Sequence, residues 1–170
     1  KRGRANFEKK IQGSKMYNNV SIVDLSSNLA PENSVDAVVT FRNLHNWIGP
    51  QMDTIFQNSY KVLKPGGIFG VVEHRANPGT SLDAMKKSGY VTESYAIAIA
   101  EKHGFVFVDK SEINANPKDL KNYERGVWTL PPSLGLKDTD KEKYLAIGES
   151  DRMTLLFKKP TPWKIILEYI

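Results

Sequence analysis

Val20-Ser21-Ile22-Val23-Asp24-Leu25, Val35-Asp36-Ala37-Val38-Val39-Thr40-Phe41 and Leu63-Lys64-Pro65-Gly66-Gly67-Ile68-Phe69-Gly70-Val71-Val72-Glu73 are the stretches whose reading decides the fold. Between Asn19 and Glu73 they predict strand, acidic turn, strand, helix, Lys-Pro-Gly-Gly turn and strand. Val20, Ile22 and Val23 end on Asp24, and twelve residues later Asp36 opens a second apolar run, Ala37 to Phe41. Short apolar runs separated by a helix are the pattern of a parallel sheet with helical crossovers. Within the crossover, Met52, Ile55, Phe56, Tyr60 and Leu63 share one helical face, with Pro50 at the entrance. Pro65 stops that helix, and Gly66 and Gly67 supply the unusual dihedrals that turn the chain into the strand Ile68 to Val72.

Outward from this centre the pattern continues. Phe7, Ile11 and Met16 lie at near-helical spacing and read as the tail of a helix. Asn77 to Gly89, rich in Pro, Gly and Ser, reads as a flexible stretch. A second helix follows, with Val91, Tyr95, Ala98 and Ile99 as its buried stripe and His103-Gly104 as its end. Phe105 to Val108 reads as a strand buried on both faces. Asn116-Pro117 and Pro131-Pro132 break up a long irregular region, a short polar helix spans Lys141 to Ile147, and a last strand runs from Arg152 to Phe157, paired antiparallel with Phe105 to Val108. Beyond Pro160 the apolar positions Trp163, Ile165, Ile166, Leu167, Tyr169 and Ile170 fit an edge strand, a docking tail or appended sequence.

At 170 residues, 40% hydrophobic and 25% charged, the chain is of ordinary globular composition, long enough for one domain with a core. No apolar run approaches the roughly 18 residues of a membrane span. Without Cys, disulfides, thiolate nucleophiles and Cys-based zinc sites are all excluded. That absence suits the cytoplasm, or the periplasm if a signal peptide lies upstream. The net charge of +5 sits in residues 1–18, where six basic residues face Glu8 alone, and the remainder sums to zero. A phosphate-tracking protein spreads its basic residues over a folded face, so this distribution argues against nucleic acid as the partner.

The segments VSIVDL (20–25), ENSVDAVVTFRNLHNW (32–47) and KVLKPGGIFGVVEHRANPG (61–79) resemble the class I S-adenosylmethionine-dependent methyltransferases, closest to a bacterial branch of predicted methyltransferases. The resemblance covers roughly residues 7–160. It implies an α/β, Rossmann-like sheet, mostly parallel, with an antiparallel C-terminal hairpin, S-adenosylmethionine as cofactor and a small-molecule methyl acceptor. No Gly-rich cofactor loop precedes Asn19, and residue 1 is Lys. Residues 1–160 are therefore expected to be a partial methyltransferase domain without its N-terminal strands, followed by a tail at 161–170. Such a fragment would be inactive alone, and its exposed strand edges would favour homo-oligomers. Two rival readings stand beside this one: a cofactor-free Rossmann-like interaction module, and, less well matched to the Lys-Pro-Gly-Gly turn and final hairpin, a nucleotide-dependent oxidoreductase.

In an open parallel sheet ligands sit at the carboxyl ends of the strands. The resemblance assigns Asp24 to the adenine amino group and the Leu25 backbone N–H to the ring, with Phe41, Arg42 and Asn43 completing the cofactor side. Asp24 as a plain turn former is the alternative. His45, in the loop that faces both cofactor and acceptor, is a candidate general base or acceptor ligand, because imidazole titrates near neutrality. Glu73 and His74 are candidates to line the acceptor pocket. A metal site is not expected, since adjacent strand residues point to opposite faces. No Asn/Asp-Pro-Pro-Tyr sequence follows the strand, and no Cys is present for a cytosine-C5 mechanism. Tyr123, Arg125 and Trp128 lie where this fold hangs a substrate lid.

Overall fold

The computed structural model describes residues 2–25 and 28–162. Four strands, β1 (Val35–Phe41), β2 (Leu63–His74), β3 (Val106–Ser111) and β4 (Arg152–Lys158), form one sheet in the order β1-β2-β4-β3. β1 and β2 are parallel, and β4 runs antiparallel to both β2 and β3. Among the described residues six α-helices accompany them: α1 (Arg2–Gln12), α2 (Leu44–Trp47), α3 (Pro50–Val62), α4 (Leu82–Ser88), α5 (Glu93–Lys102) and α6 (Lys141–Ile147). The sheet is therefore mixed, with one parallel and two antiparallel pairings among the described residues; the expected antiparallel pairing of the last two strands is present, and the mostly parallel ladder is not.

α3 begins on Pro50, whose missing N–H costs nothing at a helix start, and carries Asp53 in its first turn, where the helix dipole favours an acid. Its buried side, Met52, Ile55, Phe56, Ser59 and Val62, meets the inner face of the sheet, where Phe69, Val71, Met153, Leu155 and Phe157 are all at most 1% exposed. The Phe56 and Phe69 rings meet edge to face at 5.1 Å. Each such side chain contributes about 1.5–3 kcal/mol by leaving water. The Asp53 carboxylate accepts from Lys102 Nζ at 2.7 Å and lies 2.8 Å from His103 Nε2, which ties α3 to the end of α5.

The Lys-Pro-Gly-Gly turn lies inside β2. Val35 pairs with Leu63 and Ala37 with Ile68, so two steps along β1 match five along β2, and the extra chain bulges out. Gly66 takes φ 83°, and a Cβ on Gly67 would stand 2.9 Å from the Lys64 carbonyl oxygen and 3.1 Å from that of Asp36. Only glycine fits here.

Several expectations need correction. Val20–Asp24 forms no strand: Val20 and Val23 are 44% and 50% exposed, and among the described residues β1 pairs with β2 alone. A β-forming pattern without a partner ladder does not become a strand. Among the described residues β3 is an edge, with Val106 and Val108 about half exposed, because it pairs with β4 only. Asn77–Gly89 contains α4, capped by Ser81, whose hydroxyl accepts from Ala84 N–H, and closed by Gly89 at φ 75°. The buried stripe of α5 is Ala96 and Ala100, with Ala98 exposed. In α1, Phe7 is 52% exposed, and Met16 beyond it is 83% exposed. The positions from Trp163 onward lie outside the described residues.

Candidate active site

β1 and β2 are parallel and so end at the same edge of the sheet, where three polar residues are brought together. The Arg42 backbone N–H donates to the Val72 carbonyl at 2.7 Å, adding one more bond beyond β1, and Arg42 then takes φ 57°. That left-handed turn, unusual for a side chain bearing a Cβ, sends the chain into α2. Leu44, fully buried, anchors α2 and sets His45 over the end of β2.

Glu73 continues the inward stripe of Phe69 and Val71 and is 0% exposed. A buried carboxylate is tolerated only when its oxygens are occupied, and these are. One oxygen accepts the His74 backbone N–H at 2.8 Å and lies 3.0 Å from His45 Nδ1; the other accepts the His45 backbone N–H at 3.2 Å. With an anion facing Nδ1, the favoured tautomer carries its proton there, leaving the His45 Nε2 lone pair to accept.

His74 points to the other side of the strand, and its Nδ1 is hydrogen-bonded to the Ser150 hydroxyl. Burial, helped by the nearby charges of His45, Arg152 and Arg42 and opposed by Glu73, lowers the His74 pKa to about 4, so the ring is neutral at pH 7. The rings of His45 and His74 are 5.4 Å apart, and the Trp128 indole meets His45 edge-on at 5.8 Å. His45, His74, Arg42, Trp128, Pro131 and Pro132 line an open cleft of about 400 Å³.

Opposite-face geometry does not keep the polar atoms apart as expected. One ligand-capable atom from each of His45, Glu73 and His74 lies within 4.8 Å of the others. At a strand end a long carboxylate and a ring can swing toward the same rim. That is the minimum geometry for a cation, but Glu73 is already engaged by three N–H groups, which suits a proton-handling pair better than an anionic ligand awaiting a metal.

A second, more apolar pocket of about 320 Å³ adjoins the cleft, bounded by Leu25, Leu29, Val39, Thr40 and Trp47. Phe41 and Asn43 line both cavities. Thr40 Oγ1 is buried here without a hydrogen-bond partner among the described residues. Asp24 does not cap a strand; its side chain is 67% exposed and lies 4.0 Å from Arg4. Leu25, Phe41 and Asn43 therefore converge on the apolar pocket, Arg42, His45 and His74 on the cleft, and Glu73 lies beneath them. Sequence reasoning missed Ser150 and Thr40, single hydroxyl residues that carry no spacing signal. Tyr123 packs on Tyr144 at 5.9 Å, and Arg125 Nη1 donates to the Gly135 carbonyl at 2.6 Å, so of the three lid candidates only Trp128 reaches the cleft.

Comparison with known proteins bears on the same edge. Residues 2–71 match the family model described as a methyltransferase domain. No curated protein matches the sequence. Among solved structures, the [4+2]-cyclase SpnF superposes with a TM-score of 0.57 at 19% identity, covering 90% of this chain and 61% of SpnF. A candidate sarcosine dimethylglycine methyltransferase from Galdieria sulphuraria gives 0.57 at 16% identity, covering 92% and 65%. A SAM-dependent methyltransferase from Methanosarcina mazei gives 0.56 at 13% identity, covering 91% and 76%. The chain thus spans less than two thirds of the length of the first two, and at these identities the likeness establishes the fold. Residues 2–71 thus match a methyltransferase domain, and the chain as a whole shares the fold of these solved structures.

Proposed function

We propose that this protein transfers a methyl group from S-adenosylmethionine to a small-molecule acceptor held in the His45–His74–Trp128 cleft, with His45 as general base. The observation that carries this reading is the fully buried Glu73 carboxylate set 3.0 Å from His45 Nδ1 at the floor of an open cleft. A carboxylate behind an imidazole fixes ring and tautomer and stabilises the imidazolium that forms when Nε2 takes a proton.

The residues fit the cofactor. Leu25, Leu29 and Trp47 offer apolar surface for a flat base, while Asn43 and the orphaned Thr40 hydroxyl offer polar partners beside it. Because Phe41 and Asn43 border both cavities, a ligand in the apolar pocket lies next to one in the cleft. When bound, S-adenosylmethionine supplies an electrophilic methyl on a sulfonium centre. The protein's own part is to hold the acceptor, exclude water with Trp128, Pro131 and Pro132, and take the acceptor's O–H or N–H proton on His45 Nε2. Positioning accounts for most of the acceleration, and the base adds roughly 10²–10⁴-fold. His74, neutral and fixed by Ser150, contributes a hydrogen-bonding Nε2 to the wall.

Calorimetric titration of the intact protein with S-adenosylhomocysteine tests the cofactor half of the proposal. Saturable binding that weakens about tenfold in Asn43→Ala, the loss of one well-placed hydrogen bond, supports it. No heat at millimolar ligand favours the cofactor-free interaction module instead.

A further inference from the structure

The wall of the cleft holds a cation that no neighbour among the described residues answers. Arg42 lines the cleft beside His45, and among the described residues its guanidinium has no hydrogen-bond or ion-pair partner. Arg152 stands across the β2–β4 ladder from His74. Its side chain is only 16% exposed, and its Nε is buried without a partner among the described residues. Its one carboxylate, Glu149, is half exposed and engages the far nitrogen, Nη2. Glu73 is the buried anion of this corner, and its oxygens are occupied by His45 and His74.

Burial, and after it the charge of Arg42, lowers the Arg152 pKa, with Glu73 opposing. Both guanidinium groups also disfavour a proton on His74. Arg42 reaches this position through a left-handed backbone, a conformation that is strained for a residue bearing a Cβ. An unpaired guanidinium on the cleft wall, with the buried, unpaired Nε of Arg152 behind the Ser150-bonded His74 ring, makes a site complementary to an anion. Guanidinium is the side chain best matched to a planar carboxylate, which it grips through two parallel N–H groups. Trp128, Pro131 and Pro132 form an apolar stretch of a wall to which Asn43, Asn46 and Ser133 also contribute polar groups.

We infer that the methyl acceptor is a carboxylic acid with an apolar body, its carboxylate held by Arg42 and its body against Trp128 while its nucleophilic atom faces His45. This rests on the acceptor-cleft reading above and adds the substrate class. The unpaired Arg42 guanidinium makes the cleft selective: a neutral isostere leaves that charge unanswered, an anion answers it.

Benzoate and its neutral isostere benzamide are the probes, titrated into the intact protein saturated with S-adenosylhomocysteine and followed by Trp fluorescence and calorimetry. Benzoate is expected to bind, benzamide about tenfold or more weakly, and the difference to shrink as salt rises, as a charge-assisted contact requires. Arg42→Ala should abolish the preference, and Arg42→Lys, which keeps the charge but loses the fork, should restore part of it. Equal binding of the two probes, no benzoate binding at millimolar concentration, or an unchanged preference in Arg42→Ala overturns the carboxylate assignment. If S-adenosylhomocysteine binds in those same experiments, the methyltransferase reading survives that loss. If it does not bind, both fall.

Discussion

The two ends of β2 each bury a charge, and they do so differently. At the Leu63 end the Lys159 ammonium, 8% exposed, donates to Asn33 Oδ1 and to the carbonyls of Tyr60 and Leu63, all at 2.8 Å, and lies 4.6 Å from the centre of the Tyr60 ring. Three ammonium protons meet three fixed oxygens, and none of these partners titrates. At the other end the Glu73 carboxylate is as thoroughly satisfied, but one of its partners is the His45 imidazole, whose ring borders an open cleft. A buried charge saturated by carbonyls and amides is architecture. One saturated through a ring that reaches a cavity can move a proton.

If that contrast is right, mutations at the two ends separate catalysis from stability. The largest effect is expected at Glu73: Glu73→Gln keeps size and hydrogen-bonding but removes the charge behind His45, and turnover should fall roughly 10²–10⁴-fold. A modest change in turnover per folded molecule would place Glu73 with Lys159. At the opposite end, Lys159→Met strands the Tyr60 and Leu63 carbonyls, and should lower stability by about 2–4 kcal/mol in urea melts, with turnover per folded molecule unchanged. A turnover loss there without destabilisation would break the comparison from its other side.

The His74 pKa of about 4 predicts a pH signature. Between the unfolded value near 6.5 and this folded value the unfolded state binds the extra proton, so stability is complete above pH 6.5 and falls by about 1–3 kcal/mol as pH drops toward 4. Thermal melts across this range should show that slope in the wild type and a flatter one in His74→Gln. Asp151 acts at lower pH: burial alone would raise its carboxyl, but hydrogen bonds from Arg75, Lys121 and the Asn116 backbone N–H outweigh this and hold it at about 2. Its contribution is therefore present above the ordinary carboxylate range and lost on further acidification. The smallest effect is expected in the bulge, where Gly67→Ala must push a Cβ against the Lys64 carbonyl and should cost about 1–2 kcal/mol with no catalytic change.

Much of this arrangement was legible from residue order. The period of Met52, Ile55, Phe56 and Tyr60 marks α3, the Lys-Pro-Gly-Gly turn marks the entry to the inner part of β2, and α6 falls on Lys141–Ile147. His45, Glu73 and His74 could be named because each just leaves a strand at its carboxyl end. Their convergence could not, since His45 and Glu73 are 28 residues apart in sequence and the alternation of a strand argues against neighbours meeting. VSIVDL misleads because β propensity describes a surface awaiting a ladder, and β1 takes only β2. α4 was hidden by its own caps: Ser81 and Gly89 are loop formers in composition and helix ends in context. Ser150 is fixed by tertiary contact alone.

The measurement that bears most directly on the central claim is the separation of binding from turnover in His45→Ala. In the intact protein, S-adenosylhomocysteine affinity should stay within a few-fold of wild type, since His45 lines the cleft and not the apolar pocket. Transfer of labelled methyl from S-adenosylmethionine to a hydroxy-acid or amino-acid acceptor should fall about 10²-fold or more. Wild-type turnover in His45→Ala, or a loss fully explained by weaker S-adenosylhomocysteine binding, would contradict the assignment of the Glu73–His45 pair as the proton acceptor.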